Sequence, residues 1–290
     1  MHKALFVVLS LFIIQAIKAQ PVLGVYDYVN GFTKASGMIV DEQFVDWYPY
    51  TNGTVASYIG RATALNRTLL LTVQPEVNPS IGKSKTLLTD VTAGKYDSVI
   101  KQLCTEIKSQ GKMVYIRWGH EMETAQGRYP WSGQSPSVYI PAFQHVVTLM
   151  RSLAPLCLFV WSPQGQSNAL QYWVGSAFCD EIGFSVYSYR EYDIAEYGTP
   201  QTFKVLMDAR YNIAYRCNPS APVMICEMGA YSSKQKTYQA SWVETALSLM
   251  PYYPELKVAV YFNAPDSVKW SPAGIPNFTT TPAIWNTSYL

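Results

Sequence analysis

Histidine is nearly missing from this chain of 290 residues, which holds only His2, His120 and His145. A clustered metal centre or a serine triad would have to be built on His120 or His145. His145 stands in a helical pattern with Val146, Val147 and Leu149, which suits packing. Charge of one sign is also lacking. The net charge is +2, with no basic run and no interleaving of aromatic and basic residues, so nucleic acid and anionic membrane surfaces are poor partners. Past the N-terminus no apolar run is long enough to cross a bilayer. The five cysteines, Cys104, Cys157, Cys179, Cys217 and Cys226, match no zinc-ligand spacing. There is no repeat, low-complexity tract or linker, so one domain is expected.

What the chain does have begins with residues 1–19. His2 and Lys3 precede an apolar core at 4–14 and small residues at Ala16 and Ala19. This reads as a secretory signal peptide cleaved near Ala19, with an uncleaved membrane anchor as the alternative. An exported protein meets an oxidising compartment, where five cysteines allow one or two disulfides and leave at least one thiol. Cys226, in an apolar run beside Glu227, reads as a buried inert thiol that alternation turns away from the carboxylate's side. Asn52, Asn66, Asn277 and Asn286 each open a glycan acceptor sequon. Aromatic residues make up 14% of the chain, including 22 Tyr and 8 Trp. Such rings pair an apolar face with a hydrogen-bonding tip and match sugar rings, although large barrels also use them for packing.

Apolar, strand-like runs occur at 22–28, 43–50, 68–77, 113–121, 157–164, 182–189, 223–230 and 257–264. Helical patterns lie between several of them, clearest at 96–110, 137–153, 200–216 and 234–250. Asp90 and Ser135 suit cap positions, and Gly111 suits a helix end. Near-continuous apolar strands alternating with helices predict a parallel sheet covered on both faces. Eight such units predict a single-domain (β/α)8 TIM barrel over residues 20–290, with an open doubly wound sheet as the other candidate. Polar and aromatic residues gather at the C-terminal end of nearly every run, and a barrel collects all of these on one face.

Two carboxylates on that face need a purpose, because an unpaired charged glutamate in an apolar strand costs several kcal/mol. Glu121 ends the fourth run, and Glu227 interrupts Val223-Met224-Ile225-Cys226 in the seventh. One reading is structural, with Arg117 holding a core carboxylate. The other is chemical: strands four and seven lie across the ring from each other, so their acids can face one another over its mouth. Retaining glycosidases need two carboxyls ~5 Å apart, one as nucleophile and one as acid then base. Arg117 and a tyrosine hydroxyl would keep Glu227 ionised, and partial burial would raise the pKa of Glu121. Tyr129-Pro130-Trp131 supplies flat apolar surface nearby.

The segment Arg117-Trp-Gly-His120-Glu121-Met122 followed by Tyr129-Pro130-Trp131 resembles the signature of glycoside hydrolase family 26. The likeness extends to Trp161-Ser162-Pro163, to Tyr172-Trp173-Val174-Gly175, to Tyr187 and to residues 222–229. It implies a retaining barrel enzyme with Glu121 as acid/base and Glu227 as nucleophile. Further implied are His120 and Arg117 at the substrate, Tyr187 on the nucleophile, and Trp131, Trp161, Trp173 and Trp270 as sugar platforms or walls. The chain departs from the pattern at Glu123-Thr124, where the family has Asn-Gly. A third carboxylate there would alter the titration of the acid or meet a different sugar hydroxyl. The expectation is a secreted monomer that hydrolyses β-linked polysaccharide, β-mannan first and mixed-linkage β-glucan or β-xylan next, without cofactor or metal. A catalytically inactive polysaccharide-binding barrel is the alternative.

Overall fold

The computed structural model describes residues 20–284. The signal-peptide reading and the Asn286 sequon lie outside them. Eight parallel strands close into a barrel in chain order. They are β1 (Val22–Asp27), β2 (Met38–Asp46), β3 (Thr68–Gln74), β4 (Val114–Trp118), β5 (Cys157–Trp161), β6 (Glu181–Tyr189), β7 (Val223–Tyr231) and β8 (Leu256–Asn263). The helices are α1 (Thr54–Ala64), α2 (Leu87–Thr92), α3 (Asp97–Gln110), α4 (Pro136–Leu153), α5 (Arg190–Tyr197), α6 (Phe203–Cys217) and α7 (Tyr238–Leu249). The open doubly wound sheet is thereby excluded.

Every helix except the short α5 covers the barrel with an apolar stripe. In α3, Ile100, Leu103, Cys104 and Ile107 recur at helical spacing and are buried. Its end is set by Gly111 at φ 58°, a left-handed position that glycine adopts without steric cost. Ser135 caps α4 by accepting a hydrogen bond from the Ser137 N–H, and Pro136 follows in the first turn. Asp90 is not a cap: it lies inside α2 and pairs with Lys95 at 2.6 Å. No described helix joins β1 to β2, and only the short 3-10 turns Ala169–Tyr172 and Ser176–Phe178 join β5 to β6.

The interior divides into two levels. Val40, Leu70, Val160, Met224, Cys226, Val258 and Val260 form an apolar plug inside the ring. Above it the interior turns polar. All five cysteines are free thiols, so the expected disulfides do not form. Cys104, Cys157 and Cys226 sit buried on three different elements, where burial pushes their thiols up to about 12 and keeps them unreactive.

Candidate active site

Strand β4 stops at Trp118, short of the run read from sequence, because Gly119 and Glu121 adopt φ values of 54° and 52°. Strand alternation therefore does not reach Glu121. A left-handed non-glycine residue costs on the order of 1 to 3 kcal/mol and persists only where its surroundings enforce it. Three contacts do so here. The Glu121 N–H donates to the Ser162 carbonyl at 2.8 Å, the Trp131 indole N–H to the His120 carbonyl at 2.7 Å, and the Tyr139 hydroxyl to the Gly119 carbonyl at 3.2 Å.

Strand β7 delivers Glu227 through a second irregularity. Its pairing with β6 and β8 slips around Cys226, so Phe184 lies opposite Ile225 while Ser185 lies opposite Glu227. The slip breaks the alternation expected from sequence. Cys226 packs in the inner plug and the adjacent Glu227 also turns inward, onto Arg117.

Arg117, fully buried, joins the two acids. Its guanidinium is ion-paired with Glu227, donates to Ser162 Oγ at 2.9 Å and reaches Ser185 Oγ at 3.4 Å. Ser185 Oγ in turn donates to Glu121 Oε1 at 2.6 Å. Tyr187 donates its hydroxyl to Glu227 Oε2 at 2.6 Å, and burial beside that carboxylate pushes the phenol well above its ordinary range. A guanidinium and a phenol are donors suited to a carboxylate anion.

Glu121 has different company. Burial raises its pKa, Glu227 adds to the rise, and Arg128, Ser185 and Arg117 oppose it; the net direction is upward. Arg128 approaches Glu121 Oε2 at 3.3 Å while lying over the Tyr129 ring. Tyr129 also donates to the same oxygen at 3.4 Å. Beside them, burial and the nearby arginines hold His120 well below its ordinary range, so its imidazole is neutral.

A cleft of about 820 Å³ opens over these groups. Glu121, Glu227, His120, Tyr187 and Trp270 line it, together with Tyr26, Tyr28, Phe44, Tyr129 and Phe262. Three of the expected sugar walls lie elsewhere. Trp131 is fully buried, stacked on Tyr129 at 4.7 Å, so Tyr129 presents its ring to the cleft while Trp131 braces it and clamps the turn. Trp161 is also fully buried and meets the half-buried Trp173 edge to face at 5.0 Å, away from the cleft. Arg117, expected at the substrate, is sealed beneath the acids. Trp270 does line the cleft, anchored by its N–H to Asp266 Oδ2 at 2.8 Å. Glu123 is turned away: its Oε1 accepts the N–H groups of Gly165 and Gln166 at 2.8 and 3.2 Å, tying the loop after β4 to the loop after β5.

One carboxylate escaped the reading of the sequence. Glu42, on β2, is fully buried, accepts the Thr72 hydroxyl at 2.7 Å and shares Arg117 at 3.4 Å. Burial and the adjacent Glu227 push its pKa well upward, against the opposing pull of Arg117 and Thr72. Among the described residues no group of three or more His, Cys, Asp or Glu side chains is placed to hold a metal ion.

No family model matches the chain. It is similar to endoglucanase H of Acetivibrio thermocellus, with 25% identity over 83% of this chain, and spans about a quarter (27%) of that protein. Among solved structures it resembles GH26C from Muricauda sp., with a TM-score of 0.65 and 12% identity over 84% of this chain and 79% of that one. An endo-β-1,4-mannanase double mutant from Cellulomonas fimi aligns with a TM-score of 0.56 and 17% identity, over 81% of this chain and 55% of that one. XacCel5A, solved in complex with cellopentaose, aligns with a TM-score of 0.62 and 14% identity over 93% of this chain and 99% of that one. At these identities the structural likenesses establish the shared barrel.

Proposed function

We propose that this chain is a retaining endo-β-glycanase of the glycoside hydrolase family 26 type. The carrying observation is the convergence of Glu121 and Glu227 on one Arg117 and Ser185 bridge at the floor of an aromatic cleft. Glu227 attacks the anomeric carbon while Glu121 protonates the departing oxygen; water, deprotonated by Glu121, then attacks the same carbon, breaks its bond to Glu227 and frees the sugar and the carboxylate. Arg117 and Tyr187 hold and orient the nucleophile, and neutral His120 offers a hydrogen-bonding edge to the sugar. Trp270 and Tyr129 supply apolar faces.

The endoglucanase and the endo-β-1,4-mannanase among the similar proteins favour a β-linked backbone. β-Mannan is the first choice, and mixed-linkage β-glucan or β-xylan follow. Residues 1–19 would direct export of a monomer, and Asn52, Asn66 and Asn277, all exposed, would then accept glycans together with Asn286.

A reducing-sugar assay over mannan, mixed-linkage glucan, xylan, laminarin and cellulose ranks these substrates. On the best of them Glu227→Gln should lose ~10⁴-fold or more of the rate while still binding polysaccharide, and NMR of the first product should show retained anomeric configuration. Activity within tenfold of the parent removes the assignment. Binding without hydrolysis by the parent protein itself would make the chain a polysaccharide-binding barrel.

A further inference from the structure

The wall of the cleft on the β5 and β6 side carries a cation that the mechanism does not use. Arg210, half-buried on α6, lines the cleft. Its Nε donates to the Ser185 carbonyl and its Nη1 to the Leu206 carbonyl at 3.1 Å. Both are neutral acceptors. Among the described residues no carboxylate lies within ion-pairing distance, and Nη2 makes no hydrogen bond to protein. Burial without a counter-ion pulls its pKa down to about 10. The side chain is nonetheless held in place. A Cβ on Gly165, at φ 106°, would come 2.6 Å from Arg210 Cγ, so the absence of a side chain there makes room for the arginine stem.

Its place relative to the acids gives it a direction. Arg210 grips the backbone of Ser185, whose hydroxyl binds Glu121, and the carboxylates acting on its charge are Glu121 and Glu123 rather than Glu227. Glu121 is the group set to protonate the leaving oxygen, so this wall faces the departing half of the chain. Gln164 and Gln166 add amide groups to the same wall.

We propose that Arg210 is a binding residue for a carboxylate-bearing sugar unit on the leaving-group side, so that the preferred form of the β-linked backbone is one that carries acidic units. This rests on the glycanase reading above, which fixes which side is the leaving one. A guanidinium with a free edge in a partly desolvated wall suits a planar carboxylate, and a neutral hydroxyl would leave its charge unmatched.

The test uses matched pairs: glucuronoxylan against its carboxyl-reduced form, and partially C6-oxidised against unoxidised mannan and mixed-linkage glucan. The parent enzyme should favour the acidic member of at least one pair by tenfold or more in kcat/KM, mostly through KM. Arg210→Met, which preserves the stem, should bring that ratio close to one, and Arg210→Lys should retain part of it. A purely structural defect lowers both members equally and leaves the ratio unchanged, which overturns the proposal. Affinity electrophoresis separates this from the hydrolase reading. Selective retardation by the acidic member without hydrolysis keeps the Arg210 site and removes the enzyme; equal hydrolysis and equal retardation within every pair remove the site and keep the enzyme.

Discussion

The lower and upper levels of the barrel interior are built from the same strands two residues apart. Val40 is followed by Glu42, Leu70 by Thr72, Tyr115 by Arg117, Val160 by Ser162 and Gly183 by Ser185. Alternation sends each pair to the same side, so one step along the strands turns an apolar plug into a ring of hydrogen-bonding groups. The plug is stable through close packing and has no chemistry. The ring concentrates Glu42, Arg117 and Glu227, the first two fully buried and the third opening onto the cleft, where an unpaired charge is expensive. The candidate site lies where the fold is hardest to keep, directly above the layer that keeps it.

If that division holds, substitutions at the two levels should fail in different ways. Arg117→Met strands the Glu227 carboxylate, and removing one member of a buried ion pair costs about 3 to 5 kcal/mol. Urea unfolding should show that loss together with loss of activity; a stable, active variant would mean the ring is not held by charge. One level down, Met224→Ala should cost about 2 to 5 kcal/mol through the cavity it leaves. There, kcat per folded molecule should stay within threefold of the parent at a temperature where both are folded. A fall in kcat as large as that for Arg117→Met would erase the boundary between the levels.

Glu42 tests the boundary from its own side. A carboxyl whose folded pKa is raised contributes stability that is complete below the ordinary carboxylate range and is lost as pH climbs toward the folded value, since the unfolded chain ionises first. Glutamine cannot ionise. Glu42→Gln should therefore match the parent near pH ~4 and gain thermal stability relative to it as the pH rises to ~8. A difference in Tm that does not change with pH would show that Glu42 is already charged in the folded protein.

The division between levels also explains what the sequence disclosed. Eight apolar runs and intervening helical patterns are long periodic signals, and they led to the barrel. Glu121 and Glu227 were legible because an ionisable group interrupts or ends an apolar run. Glu42 was not, since Asp41-Glu42-Gln43 looks like a polar lead-in to a strand, and only the ring closure brings it onto Arg117. Cys226 was turned to the wrong side because a slip in strand pairing depends on the partner strands. Trp131, Trp161 and Trp173, unlike Trp270, were misread for a related reason: a residue's type declares an aromatic ring, whereas its packing decides whether that ring meets the cleft or braces a turn. Arg128 and Arg210, from a loop and a helix face, stand in no periodic pattern that would have marked them.

Arg128 gives the smallest and most specific test, because it acts on the upper level from the cleft side alone. It pairs with Glu121 across 3.3 Å while its side chain remains 29% exposed. In the proposed mechanism Glu121 must be protonated to act as acid, so the alkaline limb of kcat/KM would follow its pKa. Burial raises that pKa and Arg128 pulls against the rise; Arg128→Gln should therefore move the alkaline limb to higher pH. A partly exposed pair contributes ~0.2 to 1 kcal/mol, which corresponds to a shift on the order of half a pH unit. Glu227 takes its charge partner from Arg117 beneath it, so the substitution leaves that contact in place. An alkaline limb that stays where it is in Arg128→Gln would mean that the arginine on the cleft side does not act on Glu121.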